Sequence, residues 1–457
     1  MSEKLLIKNV QTMTFFNDGY NAIKILPADV LIENGKIKEI DRNLNDADAQ
    51  VVDGGGKLCV PGLINGRSRS LASRVSKGLA EDIRVDRYGN TPLYTRVNPY
   101  INIALEILSE EELQDVLAPS LYEAVDSGTT TLFEHCTGAE LPSFLRLCDR
   151  VGLRTIAAPM LMSRTTLPEA DAWGNYDKGV PSDETALLQW NRTLADEYSS
   201  GRVRAVMGLG SVDTTSELLI RRAAQHAMYT SGILMVSVDE TKHEREQSYH
   251  KYGASPIEVL CRNHALHEKT LLGGLQHTSP EDRKTISHFH AQAVTCLYQA
   301  MLDAELIPFI DFLIDDVHTI IGTGRCSVDM MAQMRMIALA GKLGCAKRYQ
   351  MRSQDAFYAA TVGGGRAIGE NFGRLEPGCE ADLILIDISH PRFHPYILPV
   401  KELVYQTNSS DVTDVIVEGR FLKRNGKVLW ANPSELNAKA EQAMEKVWQR
   451  AREVGAL

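Results

Sequence analysis

Short runs of alternating apolar and polar residues dominate both ends of the chain. Near the N-terminus they are LLIKNV, ADVLIENGKIKEID and AQVVDGGGKLCV, and near the other end CEADLILIDI and DVTDVIVEGRFLKRNGKVLW. Alternation is typical of half-buried strands, and the Asn34-Gly35 pair between two such runs predicts a tight hairpin. We therefore expect the two ends of the chain to form one small β-sandwich domain.

The middle of the chain alternates short apolar strands with helical stretches, as expected of repeated βα units. One such stretch follows Ser109 with glutamates in its first turn and ends at Gly128. Eight candidate strands occur, at 60–65, 129–134, 154–159, 204–209, 233–238, 271–275, 293–298 and 318–323. This α/β pattern predicts a (β/α)8 barrel of the TIM type, inserted in the terminal domain, with its active site at the carboxyl ends of the strands.

The predicted organisation has three parts. Residues 1–59 and 375–435 form the composite β domain, residues 60–374 form the barrel, and residues 436–457 form a C-terminal helix with apolar positions at helical spacing. A chain of 457 residues is long enough for one large barrel with a smaller domain.

Composition narrows the class of protein. The hydrophobic share is 44%, the net charge is −10, and basic residues are scattered rather than gathered into a patch. We expect no nucleic-acid partner and no membrane span, since a continuous apolar run of 18 residues is also missing. The first residues do not follow a secretory pattern, and the eight cysteines lack CxxC spacing, so a cytoplasmic protein with reduced thiols is expected.

Five motifs follow one another along the chain: VLIENGKIKEI, VVDGGGKLCVPGLIN, DSGTTTLFEH, ATVGGGRAIGE and LEPGCEADLILIDI. In this order they resemble the amidohydrolase superfamily, and most closely its branch of aminohydrolases and chlorohydrolases acting on cytosine, guanine, S-adenosylhomocysteine and triazines. The resemblance spans nearly the whole chain. It implies the barrel with flanking β segments, a small-molecule substrate, and a homodimer or larger homo-oligomer.

Members of that family hold a zinc or iron ion at the barrel mouth. The ligands are a His-x-His pair after strand 1, histidines after strands 5 and 6 and an aspartate after strand 8, and the ion lowers the pKa of its bound water to about 7. The corresponding positions here are Arg67 and Arg69, Ser237, Gly274 and Gly324, and a further family histidine after strand 4 corresponds to Gly210. Arginine stays protonated and repels divalent cations, so we expect neither a metal nor another cofactor.

Glu240 occupies the position of the family's proton-shuttle glutamate, so the resemblance implies an acid/base role for it, with His277 as a second catalytic candidate. A pairing of Glu240 with the two arginines is an equal alternative, and both can hold at once. Arg67 and Arg69 are expected to act as an anion clamp, with Ser237 and Arg325 as further substrate-binding residues.

The leading hypothesis is therefore a metal-independent, divergent amidohydrolase-like enzyme. It would act on a small anionic or carbonyl-bearing nitrogen compound by C–N hydrolysis or related acid/base chemistry. One alternative is a catalytically inactive binding protein whose emptied metal site is filled by Arg67 and Arg69 in internal salt bridges. Another is a hydrolase with a metal site rebuilt from His135, His277 and His318.

Overall fold

The structure, a computed structural model, describes residues 4–15, 23–83, 91–170, 176–177, 179–345 and 351–455. The strands in these ranges are β1 (Lys4–Phe15), β2 (Ile23–Glu33), β3 (Lys36–Asp41), β4 (Gln50–Asp53), β5 (Lys57–Pro61), β6 (Leu63–Ser68), β7 (Thr129–Cys136), β8 (Arg154–Pro159), β9 (Glu169–Ala170), β10 (Tyr176–Asp177), β11 (Val203–Ala205), β12 (Met207–Leu209), β13 (Leu234–Val238), β14 (Thr270–Gly274), β15 (Gln292–Thr295), β16 (Thr319–Ile321), β17 (Leu383–Asp387), β18 (Val412–Val417), β19 (Arg420–Arg424) and β20 (Lys427–Val428).

The α-helices in the same ranges are α1 (Ala72–Val75), α2 (Asn98–Ile107), α3 (Glu110–Asp126), α4 (Leu141–Val151), α5 (Glu184–Glu197), α6 (Glu217–Tyr229), α7 (Lys242–Tyr252), α8 (Pro256–Arg262), α9 (Pro280–His288), α10 (Leu297–Leu302), α11 (Phe309–Ile314), α12 (Met330–Cys345), α13 (Ser353–Ala359), α14 (Val362–Ile368), α15 (Pro399–Gln406) and α16 (Pro433–Glu453). A π-helical turn at Leu93–Val97 precedes α2. No helix in the described part of the chain is long and apolar enough to span a bilayer.

Strands from both chain ends form one sheet, in the order β20-β19-β18-β17-β5-β1-β2-β3, with β4 paired to β1. The two ends join where β5 runs antiparallel to β17. The hairpin between β2 and β3 turns at Asn34 and Gly35, whose φ angles are 52° and 78°. Positive φ at both central positions suits the twist of a tight hairpin, so the predicted turn and the β domain built from both chain ends are confirmed.

The middle of the chain forms a parallel barrel in two sheets, ordered β11-β8-β7-β6 and β12-β13-β14-β15-β16. Strands β11 and β12 are the two halves of the predicted fourth strand, interrupted at Val206. A bridge between Ser68 and Gly324 joins the first strand to the last one. All eight predicted strands are present, and the predicted TIM-type barrel is confirmed. The exact domain boundaries at 59/60 and 374/375 stay predictions.

Helices α3 and α16 both begin at a side-chain cap. Before α3, the Ser109 hydroxyl accepts a hydrogen bond from the Glu112 amide at 3.3 Å, and the Glu112 carboxylate accepts one from the Ser109 amide at 3.0 Å. The C-terminal helix α16 begins at Pro433, three residues before the predicted start, because the Asn432 side chain caps it. Residues 456 and 457 of the predicted helix lie outside the described residues.

Arg154, the first residue of β8, ties the barrel to the composite sheet. Its Nε lies 2.5 Å from Asp382 Oδ2, and its Nη2 lies 3.3 Å from Glu380 Oε2 and 3.2 Å from Glu418 Oε1. The side chain is buried. Burial alone would lower the pKa of Arg154, but the surrounding carboxylates outweigh it and raise that pKa. One barrel arginine therefore pairs with three carboxylates of the β domain.

We expect Arg154→Ala to lower the free energy of unfolding by about 3–5 kcal/mol, because it leaves the buried Asp382 carboxylate without its cation. The matched control is Arg262→Ala, which breaks a pair with Glu217 in which both side chains are exposed. The control should cost less than about 1 kcal/mol. Urea unfolding measures both values, and equal losses would contradict the role assigned to Arg154.

Candidate functional site

The carboxyl ends of the barrel strands bring three of the predicted residues together. Arg67 Nη2, on β6, donates hydrogen bonds to Ser237 Oγ on β13 at 2.9 Å and to Glu240 Oε2 at 2.9 Å. The exposed fraction is 1% for Arg67 and 8% for Glu240. The structure therefore shows the alternative in which Glu240 pairs with a barrel arginine inside the protein.

Two glycines make room for Arg67. A Cβ atom on Gly273 would lie 2.5 Å from Arg67 Cδ, and a Cβ atom on Gly322 would lie 2.5 Å from the Arg67 backbone nitrogen. Both distances are far below a van der Waals contact. The Arg67 side chain can cross the barrel mouth because β14 carries no side chain at Gly273, and Gly322 lets the end of β16 approach the Arg67 backbone.

Glu240 remains a carboxylate under ordinary conditions. Its Oε1 accepts a hydrogen bond from Gln299 Nε2 at 2.7 Å and lies 3.9 Å from Arg69 Nη1. Burial by itself would raise the pKa of Glu240, but Arg67 and then Arg69 outweigh burial and lower this pKa to about 2. A carboxylate with so low a pKa is a poor proton carrier near neutral pH. The acid/base role of Glu240 stays a prediction, and the observed pairing bears against it.

His277 and Arg325, two more of the predicted residues, lie further along the mouth. His277 Nε2 lies 3.1 Å from Glu305 Oε2 without the alignment of a hydrogen bond. Arg325 Nη2 lies 2.6 Å from Asp303 Oδ1, so this arginine is also paired within the protein. The catalytic role of His277 and the substrate-binding role of Arg325 stay predictions.

The three histidines of the rebuilt metal site do not come together. His135 lies near the end of β7, with Nδ1 3.3 Å from Ser237 Oγ, whereas His318 precedes β16 at the opposite end of the barrel. Burial, followed by the charges of Arg67 and Arg69, holds the pKa of His135 well below its usual value. Within residues 4–15, 23–83, 91–170, 176–177, 179–345 and 351–455, no three His, Cys, Asp or Glu side chains are grouped to hold a metal ion.

The positions that correspond to the family's metal ligands do not fit an ion in this chain. Two of them are buried guanidinium groups. Two others are glycines, at which a ligating side chain would collide with neighbouring atoms. A Cβ atom on Gly274 would lie 2.5 Å from the Val238 carbonyl oxygen, and one on Gly324 would lie 2.1 Å from Gln299 Oε1. We therefore derive no step of the reaction through a metal at these positions.

A cavity of about 610 Å³ opens beside Glu240. Its apolar walls include Leu93 and Leu302, and its polar lining includes Glu240, Asp303 and Arg325. This volume lies within the range of about 300–1,000 Å³ typical of small-molecule sites.

The predicted anion clamp does not face this cavity. Arg67 is engaged by Ser237 and Glu240 and does not line it, and Arg69 lines a separate void of about 40 Å³ together with Ser237 and Glu240. Burial lowers the pKa of Arg69, as does the neighbouring charge of Arg67, although Glu240 opposes both. The expectation that Arg67 and Arg69 present an open clamp is therefore corrected: Arg67 Nη2 donates to Ser237 and Glu240, and the Arg67 side chain is buried outside the cavity lining.

Gln299 and Asp303 are site residues that the sequence patterns do not single out. Both follow the seventh predicted strand, the position where the barrel rule places functional side chains. Gln299 lies in a short helix and Asp303 directly follows it, and neither belongs to a motif. Gln299 acts through Glu240, 59 residues away in sequence, and Asp303 through Arg325, 22 residues away.

Residues 60–422 match the family model described as "Amidohydrolase family". Because this match covers most of the chain, the protein belongs to the amidohydrolase family. The expectation of a hydrolase of this class is confirmed.

Curated relatives are deaminases. A 5'-deoxyadenosine deaminase from Methanothermobacter thermautotrophicus is 27% identical over 87% of this chain and 90% of the relative. A 5-methylthioadenosine/S-adenosylhomocysteine deaminase from Pyrococcus horikoshii is 26% identical over 88% of this chain and 91% of the relative.

Solved structures share the fold. An adenosine deaminase from Xanthomonas campestris with bound zinc superposes with a TM-score of 0.86 at 19% identity, covering 97% of this chain and 98% of that one. An atrazine chlorohydrolase from Arthrobacter aurescens complexed with zinc gives a TM-score of 0.82 at 19% identity, covering 96% and 100%.

These comparisons contradict the leading hypothesis from the sequence. A metal-independent enzyme for a small anionic compound is not what the relatives indicate, because they are deaminases of adenosine derivatives by name and proteins of this fold carry bound zinc. The hypothesis relied on the replacement of metal-ligand residues in one sequence. Loss of those positions identifies neither a substrate nor a reaction.

Glu240→Gln should lower the free energy of unfolding at neutral pH by about 3–5 kcal/mol, since it leaves the buried Arg67 charge without its partner. The pKa of Glu240 is depressed from 4.5 to about 2, so its stabilising contribution is present above pH 4.5 and is lost as the pH falls through about 2. Urea unfolding between pH 2 and 7 should show this acid-side loss in the native chain and a smaller one in the variant.

The control for this change is Glu441→Gln, at an exposed position of α16. It should alter the free energy of unfolding by less than about 0.5 kcal/mol and leave the acid-side profile unchanged. An unchanged acid-side profile for Glu240→Gln would contradict the pairing of Glu240 with Arg67.

Gly273→Ala should destabilise the protein by about 1–3 kcal/mol, because its Cβ would press on Arg67 Cδ and Nε at 2.5 and 2.7 Å. In the control Gly55→Ala the new Cβ would lie 3.5 Å from Asp53 Oδ1, an ordinary contact, so the change should be close to neutral. In an Arg67→Ala background the cost of Gly273→Ala should disappear. Thermal unfolding of the four variants measures this, and a cost that persists without Arg67 would show that the clash is elsewhere.

Proposed function

We propose that the protein is a hydrolytic deaminase of adenosine-type nucleosides and that the substrate occupies the cavity beside Glu240. The observation that carries the proposal is this cavity of about 610 Å³ at the carboxyl ends of the barrel strands. Catalytic sites of TIM barrels lie at that face. The deaminase relatives support the choice of reaction and of substrate class.

The lining of the cavity suits a flat heterocycle attached to a sugar. Leu93 and Leu302 offer apolar walls to a base, while Asp303 and Glu305 offer carboxylate oxygens. Carboxylates accept hydrogen bonds from amino and hydroxyl groups, and an adenosine-type compound carries both. In this proposal these side chains bind and orient the substrate, and Glu240, which is held by Arg67, forms part of the cavity lining.

The proposal also covers the kind of partner, the cellular location and the oligomeric state. We expect the partner to be a small molecule, the location to be cytoplasmic and the chain to associate into a homodimer or larger homo-oligomer. The resemblance to the family supports the oligomer. Light scattering of the purified protein tests it, and a monomer at all concentrations would contradict it.

The decisive experiment measures ammonia release from adenosine, 5'-deoxyadenosine, 5'-methylthioadenosine and S-adenosylhomocysteine. The protein is assayed as purified and after incubation with zinc. We expect release from at least one of the four compounds. No release from any of them under either condition would overturn the deaminase activity, even where calorimetry shows that a nucleoside binds.

Asp303→Asn tests the placement of the substrate. It should raise KM by about tenfold, the effect of losing one hydrogen bond to a charged group. The matched control is Asp316→Asn, at an exposed position near the opposite end of the barrel, which should leave KM unchanged. Equal KM values for the two variants would place the substrate elsewhere.

A further inference from the structure

Gln299 contacts both polar walls of the cavity at once. It lies in the first turn of α10 and is fully buried. Its Nε2 donates a hydrogen bond to Glu240 Oε1 at 2.7 Å, and its Oε1 accepts one from the Arg325 backbone amide at 3.0 Å. Glu240 and Arg325 both line the cavity.

The chemistry of the two partners fixes the orientation of the amide. A carboxylate can only accept hydrogen bonds, and a backbone N–H can only donate one. The side chain at this position must therefore present a donor to Glu240 and an acceptor to Arg325. An uncharged amide does both without adding a charge next to the Arg67–Glu240 pair.

A glycine in the neighbouring backbone leaves room for Gln299. Gly324 has a φ of +63°, and a Cβ atom there would lie 2.1 Å from Gln299 Oε1 and 3.2 Å from Cys296 Cβ. A side chain at residue 324 would thus displace Gln299. The Gln299 amide therefore occupies the space at the end of β16 that a side chain at residue 324 would need.

We infer that Gln299 is a positioning residue that holds the Glu240 carboxylate and the Arg325 backbone at a fixed separation and so sets the inner width of the substrate cavity. The inference about the fixed contacts stands on geometry alone. Its consequence for the substrate rests on the proposed function.

Gln299→Glu tests this role by changing the donor into a carboxyl group. Two carboxyl groups at hydrogen-bond distance cannot both ionise readily, so the pair should retain a proton well above the usual carboxyl range. We expect the thermal unfolding midpoint to become pH-dependent between about pH 5 and 8, with recovery on the acid side where the new carboxyl group donates as the amide did. The native chain should lack this additional titration.

Affinity for 5'-methylthioadenosine, measured by calorimetry over the same pH range, is the second readout. It should fall by about tenfold at pH 8 in Gln299→Glu and recover towards pH 5. The matched control is Gln292→Glu, a buried glutamine at the other end of β15 that bonds the carbonyl oxygens of Glu268 and His290. This control loses stability but keeps the native affinity at every pH.

Exchanging the side chains at positions 240 and 299 tests whether their contact causes the pH dependence. In the double variant Glu240→Gln/Gln299→Glu, the amide at position 240 can accept from Arg67 and donate to the new carboxylate, which accepts from the Arg325 amide. The swap should therefore fold and lose the pH dependence of the single variant, even where Gln299→Glu alone does not fold.

The inference is overturned if Gln299→Glu matches the native pH profile, or if the swap fails to restore a flat one. Failure of the proposed function is recognised separately, since it would appear as no ammonia release by the native chain from any of the four compounds. The unfolding profiles still test the role of Gln299 in that case.

Discussion

The barrel mouth depends on the buried ion pair between Arg67 and Glu240. A buried guanidinium without a partner costs several kcal/mol, so the folded chain must supply acceptors for it and space around it. Ser237 and Glu240 supply the acceptors, while Gly273 leaves space for the side chain of Arg67 and Gly322 for its backbone. These residues come from different strands or strand ends, and one side chain therefore links the two halves of the barrel.

The same pair determines what a ligand can meet. Arg67 is held by Glu240 and does not line the open cavity, whose lining includes Glu240 and the second pair, Arg325 with Asp303. Gln299 joins the two pairs without adding a charge. A ligand in this cavity contacts compensated charges and apolar walls rather than an open cationic clamp.

Family membership and local chemistry carry different information here. The barrel superposes on a zinc-containing adenosine deaminase with a TM-score of 0.86, so the fold has been kept almost along the entire chain. At the mouth, however, Gly324 and Gly274 have no room for ligating side chains, and the strand-1 positions are arginines. A shared fold thus fixes where the site lies and leaves its chemistry to individual side chains.

The sequence by itself determined the two-part fold, because strand and helix periodicity, the Asn34-Gly35 turn and the Ser109 cap are local signals that the tertiary structure does not override. It also placed Arg67, Ser237 and Glu240 at one mouth, through their positions after predicted strands. Only the tertiary structure decided that Arg67 turns inward onto Glu240 and that Gln299 joins the site. Those choices depend on side-chain direction and on free space between strands distant in sequence, which no local pattern encodes.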